Sequence, residues 1–99
     1  MILELAEIRI QPGKQGEFAV AIANGLDSVL SKSPGYRAHG VQKGVESPER
    51  YLLMVWWESL EAHNAFRASP LFPQWRAIVG PFFAEPPRVE HFTLVTASR

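Results

Sequence analysis

Tyr51-Leu52-Leu53-Met54-Val55-Trp56-Trp57-Glu58-Ser59-Leu60-Glu61-Ala62-His63 decides how this chain folds. Successive side chains of a strand point to opposite faces. Tyr51, Leu53, Val55 and Trp57 therefore face one way, and Leu52, Met54 and Trp56 the other. Both sets are apolar, so the strand needs cover on both sides. The chain's own helices can supply one cover; the other calls for a partner chain. The strand then runs directly into a short helix that carries a histidine.

The rest of the sequence arranges itself around that strand. Residues 2–10 read as another strand, with Ile2, Glu4, Ala6, Ile8 and Ile10 on one face and Leu3, Leu5, Glu7 and Arg9 on the other. Gln11-Pro12-Gly13 is turn chemistry. Phe18, Ile22, Gly25, Leu26 and Val29 form an apolar stripe that predicts a helix over 15–32, ended by Ser33-Pro34-Gly35. Gly25 is expected at a close helix–sheet approach. Residues 36–44 and 50–57 form a hairpin turned by Glu46-Ser47-Pro48-Glu49. Ser59 is the expected N-cap of a helix to about Ala68, and Ser69-Pro70 breaks it. A second short helix spans Leu71 to Val79, and a last strand covers 88–96.

This order, β-α-β-β-α-β, is the ferredoxin-like split unit, an α+β fold. It consists of a four-stranded antiparallel sheet with helices on one face. Leu3, Leu5, Leu52, Met54 and Trp56 are then left for the helix-free face. An apolar face of that kind marks an interface, and two such sheets packed together would close into a dimeric α+β barrel.

A length of 99 residues suits one domain, residues 1–99. Ten basic and ten acidic residues cancel, so there is no basic stripe for nucleic acid. The chain has no cysteine and hence no disulfide or thiolate metal site. Met1 to Ile10 shows neither a basic leader nor a long apolar run, and nothing approaches the ~18 apolar residues of a membrane span. The expectation is a soluble cytoplasmic protein that does not engage a membrane.

Several short stretches, in order and spacing, carry a family likeness. They are Glu7-Ile8-Arg9-Ile10, Ser33-Pro34-Gly35-Tyr36, Trp57-Glu58-Ser59, Ala62-His63, Ser69-Pro70-Leu71-Phe72 and Val89-Glu90-His91-Phe92. Over about residues 2–95 the chain resembles the antibiotic biosynthesis monooxygenase family of small dimeric α+β barrel proteins. The resemblance implies a ligand pocket between helices and sheet. It also implies oxidation of phenolic substrates to quinones without a cofactor. Haem-degrading relatives resemble a pattern of asparagine on the first strand, tryptophan at the end of the third, and a histidine iron ligand on the later helix. Here Trp57 is present, Ile8 stands at the asparagine position, and Phe72-Pro73-Gln74-Trp75-Arg76 holds no histidine. Haem is therefore not expected as a substrate. Phe66 and Leu71 stand where many relatives place histidines.

His63 is the candidate catalytic residue, because an imidazole at the helix start can take a phenol proton near neutral pH. The resulting phenolate is electron-rich enough to pass an electron to oxygen. The plainer reading is a helix histidine bonded to its neighbours. Trp57, Trp75, Phe66, Phe72, Phe82 and Phe83 could wall an aromatic pocket, against a reading of simple core packing that is preferred for Phe72 and Phe83. Asn64 and His91 complete the candidate substrate-binding set. Asn64 could equally face water, and His91, on a strand face with Val89 and Thr93, suits a structural role. His39 is expected to face the partner sheet or solvent, with Arg37 and Val41. Glu7 is expected to pair with Arg9 or with a partner-chain residue. Three dispersed histidines without clustered carboxylates, and no HExxH, give no metal site.

Together these readings describe a homodimer joined through the helix-free sheet face. It would be a monooxygenase acting on a small phenol- or quinol-type ligand. The alternatives are a non-enzymatic ligand-binding or stress-related protein of the same fold, and a haem-binding protein without turnover.

Overall fold

Alternation along the two central strands divides the molecule into a dry side and a half-covered side. The computed structural model describes residues 1–98. Its elements are β1 (Ile2–Arg9), α1 (Gln15–Ser28), β2 (Tyr36–Lys43), β3 (Arg50–Trp57), α2 (Leu60–Ala68), α3 (Leu71–Val79) and β4 (Arg88–Phe92). The strands form one antiparallel sheet in the order β2-β3-β1-β4. This is the expected ferredoxin-like α+β arrangement. Ile2 pairs with Trp57, and Glu4 lies between Val55 of β3 and His91 of β4. Ala6, Ile8, Leu53, Val55 and Trp57 are buried beneath Phe18, Ile22 and Leu26 of α1, Phe66 of α2 and Val79 of α3. The opposite face carries Leu3, Leu5, Leu52, Met54 and Trp56, each only partly covered.

Local chemistry sets the boundaries. Ser59 is extended and its hydroxyl accepts the Ala62 N–H at 3.2 Å, capping α2 as anticipated. The Ser69 hydroxyl donates to the Phe66 carbonyl at 2.8 Å and accepts the Leu71 N–H at 3.2 Å, which turns α2 into α3. Gly35 has φ +87, and a Cβ there would stand 2.5 Å from the Ala62 Cβ. Only glycine lets α2 sit down on this loop.

Several expectations are corrected. The helix expected over 15–32 ends at Ser28, because Val29 leaves helical geometry and a 3₁₀ turn, Leu30–Lys32, follows. Pro34 disfavours helical backbone at Ser33, which is extended. The last strand stops at Phe92, where its register reaches Leu3 near the start of β1. Gly25 packs a helix against a helix: a Cβ would stand 3.0 Å from the Trp75 ring of α3. A bulge between Tyr36 and Ala38 shifts the parity of β2, so His39 pairs with Val55 on the helix side. There it meets the Tyr36 hydroxyl at 2.6 Å. Glu7 does not pair with Arg9. Arg50 of β3 donates to it, with Nε at 3.1 Å, while Arg9 lies 3.8 Å from Glu85.

Candidate active site

A cavity of about 330 Å³ opens between the sheet, α2, α3 and the loop leading into β4. Ala6, Ile8 and Leu53 form its floor, Phe66, Phe72 and Trp75 its aromatic side. Arg67 and Arg76 flank Phe72, with guanidinium carbons 5.8 and 5.9 Å from its ring centre. At one end stand Glu4 and His63, only 6% and 3% exposed.

Glu4 is a carboxylate on a strand face that is otherwise apolar. Burying such a group costs several kcal/mol unless it finds partners. Two elements supply them, and a third supports one of these. The Trp57 indole N–H donates to Oε1 at 2.8 Å, diagonally across the β1–β3 pair. His63 Nε2, projected from α2, lies 3.2 Å from the same oxygen. His91, directly opposite Glu4 on β4, meets His63 instead, with its Nε2 2.6 Å from Nδ1. The result is a chain running Trp57–Glu4–His63–His91 from the core to half-buried His91 on the exposed edge strand.

Burial pushes the Glu4 carboxyl above its ordinary 4.5, opposed by the Trp57 hydrogen bond and the Arg67 charge. Burial, aided by electrostatic repulsion from His91 and Arg67, pushes His63 down to about 4. His63 is therefore a neutral imidazole at pH 7, and its contact with Glu4 is polar rather than a full ion pair. The pair can exchange a proton with little change in net charge. Among the described residues no group of three or more His, Cys, Asp or Glu side chains is placed to hold a metal ion.

His63, Phe66 and Trp75 lie on the cavity wall. Trp57 is fully buried behind it, between His63 and Phe66 at ring-centre distances of 5.4 and 5.6 Å. It orients Glu4 rather than meeting the cavity. His91 stands one residue further out, reached through His63. Asn64 is exposed on α2, away from the cavity. Sequence reasoning missed Glu4, Arg67 and Arg76 as cavity residues. For Glu4 a signal existed: it is the one charged position in the apolar series Ile2, Glu4, Ala6, Ile8, Ile10.

A sequence model of the antibiotic biosynthesis monooxygenase family matches residues 1–78. The chain belongs to that family. It is 37% identical over 93 residues to the uncharacterised Bacillus subtilis protein YczJ, covering 93% of this chain and 97% of that one. A Bordetella bronchiseptica protein named for the same family superposes with a TM-score of 0.90 at 36% identity, covering 96% of this chain and 97% of that one. SnoaB, a cofactor-independent oxygenase from Streptomyces nogalater, solved as a point mutant, shares the fold with a TM-score of 0.82. It is 16% identical, over 97% of this chain and 94% of that one. No helix among the described residues is long and apolar enough to cross a membrane.

Proposed function

We propose that this chain is a cofactor-independent monooxygenase that oxidises a small hydroxylated aromatic with molecular oxygen. The carrying observation is the cavity of about 330 Å³, aromatic on one side and ending on the buried Glu4–His63 pair. Phe66 and Trp75 would hold a planar ring. The substrate hydroxyl would lose its proton at the Glu4–His63 pair. The phenolate then gives an electron to oxygen, and the radical pair recombines at a ring carbon. Loss of water leaves the quinone, so that one phenol and one O₂ become one quinone and one water. Family membership supports oxygen chemistry, and the aromatic wall supports the substrate class.

On this reading His63 serves catalysis as the partner of Glu4 in the proton-accepting pair, Trp57 and His91 support the pair, and Asn64 meets substrate only if the mouth closes over it. The whole chain acts as one domain, in the cytoplasm, as a homodimer. The half-covered row Leu3, Leu5, Leu52, Met54 and Trp56 is the face that a second copy would cover.

Oxygen-electrode assays over a panel of hydroquinones and naphthols test the reading. One or more should be consumed, and His63→Ala should lower kcat by at least ~10²-fold while KM changes little. A panel that binds but consumes no oxygen would leave a ligand-binding protein of the same fold.

A further inference from the structure

We infer that Glu4, on β1, is the catalytic base of this cavity, and that its free oxygen Oε2 takes the proton of a ligand hydroxyl. The inference rests on the monooxygenase reading for its chemistry, and on geometry for its choice of atom. Both nitrogens of His63 are occupied within the protein. Nδ1 is held by His91 at 2.6 Å and Nε2 faces Glu4 Oε1 at 3.2 Å. A hydroxyl reaching Nε2 would have to displace Glu4. Glu4 is differently placed: Trp57 and His63 both converge on Oε1, and among the described residues no hydrogen bond falls on Oε2. Every buried side-chain nitrogen or oxygen among the described residues has a partner. Oε2 has none, so it keeps access to the cavity that Glu4 lines.

The surrounding groups suit a base. Trp57 from β3 and His63 from α2 fix the carboxylate in position, and His91 on β4 fixes His63 in turn. Arg67 on α2 places a positive charge toward the pair, while Arg76 of α3 stands at the cavity mouth. The step is a proton transfer. The ligand O–H bond breaks, an O–H bond forms at Oε2, and the negative charge moves from the carboxylate to the phenolate oxygen. Burial disfavours the carboxylate as charged form, which makes it a stronger base than an exposed glutamate. His63 and His91 are positioning residues in this scheme, and they connect the protonated Glu4 with the exposed edge strand.

The probes are 1-naphthol and its methyl ether, titrated calorimetrically into the full-length wild type and into Glu4→Gln, which preserves size and an acceptor for Trp57. Wild type should prefer the naphthol by at least ~10-fold at neutral pH, because a buried charged acceptor left unpaired penalises the ether. The preference should shrink on acidification. In Glu4→Gln it should fall to about 3-fold or less and show no pH dependence, since a neutral amide accepts more weakly. With any quinol that wild type oxidises, Glu4→Gln should lose at least ~10²-fold in kcat with KM nearly constant, and Glu4→Asp should recover part of the rate. A Glu4→Gln protein with full turnover, or with the wild-type preference for naphthol, overturns the inference. So does a wild type indifferent to the hydroxyl. If no quinol is oxidised while the Glu4-dependent preference stands, the monooxygenase reading fails and the hydroxyl contact at Glu4 is supported.

Discussion

On the helix-covered face of the sheet, β1 and β3 bury Glu4, Ala6, Ile8, Leu53, Val55 and Trp57; on the other face the same strands leave Leu3, Leu5, Leu52, Met54 and Trp56 half covered. The contrast is sharpest between two consecutive residues. Trp57 is fully buried and its indole N–H is satisfied by Glu4. Trp56 is partly exposed, and no hydrogen bond within the described residues uses its indole. One face thus holds a carboxyl group in a dry setting because β3 and α2 supply it with polar partners and the edge strand supports His63 in turn. The other holds large apolar groups in a wet setting, with small Ala38 and Gly40 of β2 opposite Trp56 and Met54. A polar group on the dry face points to chemistry, and apolar groups on the wet face point to assembly.

The largest effect is expected from moving a charge to the wet face. Trp56→Glu would place a carboxylate in the apolar row of the proposed interface, which should bury more than ~1,000 Å² in total. The expected outcome is loss of the dimer and an aggregated or unfolded chain, followed by light scattering and circular dichroism. Trp56→Phe should keep the dimer. A wild type that runs as a well-folded monomer at micromolar concentration would sink the assembly reading and leave this face as ordinary surface.

The two faces were not equally legible in the sequence. Alternation in 2–10 and 50–57 revealed both faces, and the capping serine at 59 and the Pro-Gly breaks revealed the order of elements. The apolar row on the free face followed directly. The site was harder, because it depends on register. Glu4 meets Trp57 only because Ile2 pairs with Trp57, and His91 reaches His63 only because Glu4 lies opposite His91. Nothing in one strand announces the register of another. Even so, a lone carboxylate among Ile2, Ala6, Ile8 and Ile10 demands buried partners, and that demand was readable. His39 is exposed and shares a face with Val41, as expected, but the bulge between Tyr36 and Ala38 sets that face on the helix side rather than toward a partner sheet.

An intermediate effect is expected from acid on the dry face. His63 has its pKa lowered from 6.5 to about 4 on folding. The unfolded chain then binds the proton more readily, so stability is lost as pH falls from about 6.5 to 4. At about 1.4 kcal/mol per pH unit the loss reaches roughly 3 kcal/mol. Glu4 works the other way. Its pKa is raised above 4.5, so acidification between 4.5 and that raised value favours the fold and offsets part of the loss. Urea midpoints at pH 7, 5.5 and 4 should show a net decline in wild type. The decline should flatten in His63→Gln and steepen in Glu4→Gln. An unchanged slope in His63→Gln would mean that acid acts elsewhere.

The smallest effect is expected at Glu7, on the wet face, and it sharpens the comparison further. Arg50 donates to Glu7 there, and hydrogen bonding and charge from Arg50 hold the carboxyl below its ordinary 4.5. This contribution is present above pH 4.5 and disappears as pH falls through the lowered value, well below most of the window governed by His63. A pair open to water is also weakened by salt, which the buried Glu4 contacts resist. Glu7→Gln should therefore barely move the thermal midpoint at neutral pH, and the small shift should vanish in high salt. A second copy packed over this edge would exclude water and ions from the pair. A Glu7→Gln shift that is large and insensitive to salt, and that appears only at protein concentrations where the dimer forms, would then extend the interface from the apolar row to Glu7 and Arg50.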